Sequence, residues 1–99
     1  MAFYDEQPVE LDDDGMMSKY RYDTQLLIEG HDLDDDAIRE YFEQNFVGDC
    51  LLAVGDDELI KIHYHTDHPW LVLAYCATLG DIYDIVVENM DRQKQGLHG

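Results

Sequence analysis

An α+β fold is predicted, a four-stranded antiparallel sheet with two helices on one face. Three observations predict it. Runs rich in Tyr, Thr, Ile and Val alternate with two stretches of helical periodicity. Gly30, Gly48 and Gly80 fall at element ends. Gly55-Asp56-Asp57-Glu58 reads as a hairpin connection between two apolar runs.

Residues 1–18 stand apart. They carry the acids Asp5, Glu6, Glu10, Asp12, Asp13 and Asp14 and no Lys or Arg, with Pro8 and Gly15 interrupting any pattern. An acidic flexible tail is expected there, docking locally through Phe3 and Tyr4. Its Asp12-Asp13-Asp14-Gly15 run lacks the alternating acids and distant Glu of a calcium loop. From Tyr20 to Glu29 a first strand is expected, ended by Gly30. Asp34 is a good N-cap for a helix whose stripe is Ile38, Tyr41, Phe42 and Phe46, with Gly48 ending it. Cys50 to Val54 and Leu59 to His65 are the next two strands. Pro69 suits the first turn of a second helix, which buries Val72, Tyr75, Cys76 and Leu79 and stops at Gly80. Ile82 to Asn89 is a fourth strand, with Tyr83, Ile85 and Val87 on one face, and 91–99 form a polar tail. The order over residues 19–90 is β-α-β-β-α-β, the ferredoxin-like split βαββαβ sandwich, whose sheet runs 4-1-3-2 and leaves one face open.

Charge narrows the partners. Twenty-three acids against 6 Lys plus Arg give a net charge of -17 over 99 residues. Such a surface repels phosphate backbones and anionic lipids, so neither nucleic acid nor membrane is an expected partner. It favours cations and basic protein surfaces. With no signal-like N-terminus, no membrane-length apolar run and no disulfide framework from Cys50 and Cys76, a cytoplasmic protein is expected.

The chemistry concentrates in Lys61-Ile62-His63-Tyr64-His65-Thr66-Asp67-His68-Pro69. Alternation along the third strand puts Ile60, Ile62 and Tyr64 on one face and Lys61, His63 and His65 on the other. Two imidazoles on one face are natural metal ligands. In the expected sheet order, the first and third strands are neighbours, and Arg21, Asp23, Gln25, Leu27 and Glu29 occupy the same open face. Asp23 therefore meets His63 and His65, a set suited to zinc or another divalent transition metal. Asp67 and His68 are expected chiefly to cap the second helix, with a role as outer partners of a metal as the other reading. Leu27 and Val86 make the open face an interaction surface, and Trp70 is a candidate anchor for a partner.

The segments Tyr22–Gly30 (YDTQLLIEG), Leu51–Pro69 (LLAVGDDELIKIHYHTDHP) and Val87–Met90 (VENM) resemble the central domain of bacterial fatty acid kinase. That multidomain protein has a dihydroxyacetone-kinase-like nucleotide domain and works with DegV-family fatty acid-binding proteins. The resemblance spans about 20–93. It implies a zinc-carrying, dimerising domain, with ligands at His63, His65 and a first-strand cysteine in a Tyr-Cys-Thr-Glu motif. Here that motif reads Tyr22-Asp23-Thr24-Gln25, so Asp23 stands for the cysteine and a hard oxygen for a soft thiolate. Trp70 replaces a usual Gly.

No phosphate-binding loop or nucleophile elbow is present, and the family's phosphoryl transfer belongs to a nucleotide domain absent from these residues, so no catalysis is expected. The expected role is an accessory or dimerising module, a homodimer docking a separately encoded kinase or DegV-like chain. The alternative is a small-molecule-sensing regulatory domain, supported by fold analogy alone.

Overall fold

The computed structural model describes residues 19–96. The acidic tail expected over 1–18, with Phe3, Tyr4 and the Asp12–Gly15 run, lies outside them. The elements are β1 (Tyr22–Glu29), α1 (Asp35–Asn45), β2 (Gly48–Gly55), β3 (Leu59–Thr66), α2 (Pro69–Ala77), β4 (Asp81–Asn89) and α3 (Met90–Lys94). The four strands form one antiparallel sheet in the order β2-β3-β1-β4, which is the split βαββαβ arrangement.

Strand alternation divides the sheet cleanly at its centre. Thr24, Leu26 and Ile28 of β1 and Ile60, Ile62 and Tyr64 of β3 are buried against the helices. Ile38 and Phe42 of α1 and Val72 and Cys76 of α2 complete that core. Asp34 caps α1, its carboxylate accepting from the Asp36 and Ala37 amides at 3.0 and 3.2 Å. Phe42 packs edge-on against Phe46 and Tyr64, with centroids 5.0 Å away in each case. Tyr41 lies flat on Tyr75 at 3.8 Å, so this aromatic pair bridges the outer edges of the two helices.

Several boundaries differ from expectation, each for a local reason. Helix α1 stops at Asn45, and Gly48 opens β2 instead of ending the helix. A Cβ on Gly48 would stand 2.3 Å from the His65 carbonyl oxygen and 2.5 Å from Cζ of Tyr64, so close strand approach requires glycine there. In β4, the register slips between Tyr83, opposite Leu27, and Val86, opposite Gln25. Asp84 adopts φ 51° inside this bulge. The bulge overturns the expected Tyr83, Ile85, Val87 face, because Tyr83 and Val86 share the open face while Val87 pairs with buried Thr24. Met90–Lys94 form a short helix within the segment expected as tail, with the Asn89 side chain accepting from the Arg92 amide at 3.1 Å. Neither Asp67 nor His68 caps α2. His68 occupies the cap position without a side-chain bond, and Asp67 accepts from the Arg21 amide at 2.8 Å.

Candidate metal centre

Antiparallel pairing sets the open face out in transverse rows. Asp49, His65, Asp23 and Glu88 lie opposite one another across β2, β3, β1 and β4. The next row is Leu52, His63, Gln25 and Val86, and the third is Val54, Lys61, Leu27 and Tyr83. Directly opposed residues on one face have neighbouring side chains, so Asp23 and His65 meet across the first row while His63 leans in from the second.

The three groups converge. His63 Nε2 and His65 Nε2 are 3.1 Å apart, and Oδ1 of Asp23 stands 3.5 Å from the first and 3.7 Å from the second. Three donors held on a tetrahedral ion at typical zinc bond lengths are separated by about 3.4 Å. The observed triangle matches that face. Oδ1 of Asp23 is buried and makes no hydrogen bond, whereas Oδ2 accepts from the Gln25 amide group at 3.4 Å. Gln25 thus turns the carboxylate so that its unpartnered oxygen faces the rings. Burial, the largest influence, pushes His65 below its usual pKa, against the pull of Asp23 and Asp49 and with help from His63. A neutral ring keeps a lone pair to donate. On donor chemistry and spacing, these residues fit a divalent transition ion.

Other expected residues are placed elsewhere. The His68 ring packs edge-on against Trp70 at 5.4 Å, and Asp67 is engaged at β1. Trp70, 57% exposed, lines a cleft of about 370 Å³ with Lys19, Arg21, Tyr22, Asp67 and Asp91, apart from Leu27 and Val86 on the open sheet face. Cys76 is fully buried and its thiol is pushed up to about 12, the state of an inert core residue. Asp49 and Cys50 were missed by sequence reading as neighbours of His65. Asp49 falls just before the apolar run that marks β2, and a bulge carries no pattern that would have revealed it.

Among the described residues, no helix is long and apolar enough to cross a membrane. Residues 19–97 match the family described as the FakA-like middle domain of fatty acid kinase. An uncharacterized protein of Staphylococcus haemolyticus is 37% identical over 79 residues, covering 76% of this chain and 14% of that protein. One from Staphylococcus aureus strain USA300 is 33% identical over 78 residues, covering 75% and 14%. One from Staphylococcus epidermidis is 46% identical over 46 residues, covering 46% and 8%. The chain thus spans a small part of the curated relatives it matches. Fold, sheet order and the extent of the family match agree: this chain belongs to the FakA-like middle-domain family of fatty acid kinase.

Proposed function

We propose that the chain is a non-catalytic accessory module that holds a divalent transition ion through Asp23, His63 and His65 and associates through the open face around them. The observation that carries this reading is the buried, unpartnered Oδ1 of Asp23 facing two imidazole nitrogens. A bound ion supplies a positive centre that ties β1 to β3; Gln25 orients the carboxylate, and the neutral rings donate their lone pairs. Leu27, Leu52, Val54, Tyr83 and Val86 flank the site as apolar ground for a second copy of the chain. The acidic remainder suits a basic surface on a separately encoded kinase or fatty acid-binding chain.

The test is elemental analysis of protein purified without an affinity tag, beside Asp23→Ala, with sedimentation of both. Near-stoichiometric metal lost in the variant, and a dimer mass, support the reading. No uptake after incubation with zinc, manganese or iron(II) defeats the metal part. A monomer at every concentration, with and without metal, defeats the association.

A further inference from the structure

We propose a second metal-binding corner on the far side of His65, formed by its Nδ1, the Asp49 carboxylate and the Cys50 thiol, and selective for thiophilic divalent ions. The donor atoms of these three residues all lie within 4.8 Å of one another, with Oδ1 of Asp49 3.7 Å from Nδ1. His65 Nδ1 is buried and makes no hydrogen bond. A buried nitrogen in that condition costs stability until something occupies its lone pair or takes its proton.

The bulge in β2 is what makes the corner possible. Successive side chains on a regular strand point to opposite faces, so Asp49 and Cys50 could not share a ligand. Here, the register slips between Asp49, opposite His65, and Leu52, opposite His63. Cys50 takes φ 56° inside the bulge, and both its thiol and the Asp49 carboxylate come within reach of the same ring. Burial first, then the charge of Asp49, its hydrogen bond and the charge of Asp23, hold the Cys50 thiol above its usual pKa. The same anionic surroundings favour an ion that displaces the thiol proton to solvent.

The two sides of His65 differ in softness. The Nε2 side offers one oxygen and two nitrogens, and the Nδ1 side a sulfur, an oxygen and a nitrogen. Zinc, cobalt(II) and cadmium take the sulfur side, whereas ions preferring hard donors have no use for it. A neutral imidazole has one bare nitrogen, so one corner is filled at a time and the tautomer decides which. This corner does not depend on His63.

The experiment is a cobalt(II) titration of the full chain without a tag, reading thiolate-to-metal charge-transfer absorption in the near ultraviolet. The wild type should show a saturable band that survives His63→Ala and disappears in Cys50→Ser. Asp49→Asn should weaken the affinity about tenfold or more. Far-UV circular dichroism establishes that each variant is folded, and Asp49→Asn gives the readout if Cys50→Ser is not. Absence of the band in the wild type overturns the proposal. So does a band of unchanged affinity in Asp49→Asn, which would mark a lone thiol taking up metal. Because His63→Ala removes only the Nε2 side, failure of one corner is distinguishable from failure of the other.

Discussion

Replacing Gly48 with Ala should unseat β2 from β3 at the end of the sheet that carries the histidines. The added Cβ would lie 2.3 Å from the His65 carbonyl oxygen, with Cζ and Cε2 of Tyr64 at 2.5 and 2.7 Å. Comfortable contacts begin near 3.5 Å, so the strands must part by about 1 Å. A backbone oxygen and a buried ring cannot swing away as a flexible side chain would. Forced overpacking costs about 1–3 kcal/mol, and a disturbed neighbouring hydrogen bond about 1 kcal/mol more. The bond at risk runs from the Thr66 hydroxyl to the Val47 carbonyl at 2.9 Å. A loss of about 3 kcal/mol is therefore expected, a large share of the roughly 5–15 kcal/mol of an ordinary domain. Urea unfolding followed by circular dichroism measures it. Gly30→Ala is the control, because its Cβ would meet Leu79 O at 3.0 Å and Leu33 Cδ2 at 3.3 Å, contacts that a small shift relieves. If Gly48→Ala costs no more than Gly30→Ala, the close-approach argument is wrong.

Phe42→Ala, at a fully buried ring touching two aromatic neighbours, should cost about 3–5 kcal/mol by the same urea assay. Asp56 accepts from the Glu58 and Leu59 amides at 2.9 Å each, bonds that hold its carboxyl below the usual 3.8. Its contribution should be complete above that value and fade as pH falls through the lower folded pKa, since the unfolded chain takes up the proton first. Asp56→Ala should remove that part of the acid-side decline, and an unchanged acid-side stability profile would count against the turn assignment. A thiol reagent should label exposed Cys50 in the native protein and reach buried Cys76 only on unfolding, and counting labelled thiols before and after denaturant checks this.

The central strands were legible because alternation is strict there. Ile60, Ile62 and Tyr64 point inward, so Lys61, His63 and His65 had to point outward, and the 4-1-3-2 order brought Asp23 beside them. The outer strands were legible only in part. Bulges at Cys50 and Asp84 insert a left-handed residue that a non-glycine side chain does not advertise. As a result, alternation gives the wrong face for Val87 and leaves Asp49 outside the site. Gly48 marks a boundary, yet a glycine after a helical stripe reads the same whether it caps a helix or admits a neighbouring backbone. Asp67 and His68 failed as caps because Arg21 and Trp70, distant in sequence or lying across the turn, compete for their side chains.

Both edge strands are broken in mid-course. On β2 the regular ladder resumes only from Leu52 to Gly55, and on β4 only from Val86 to Asn89. A strand from another molecule seeking to extend this sheet would find a short, twisted stretch at either border, interrupted by Cys50 on one side and charged Asp84 on the other. Strand-on-strand polymerisation is therefore discouraged despite the apolar residues in the sheet. Contact between copies is directed instead onto the broad face, where the histidines lie.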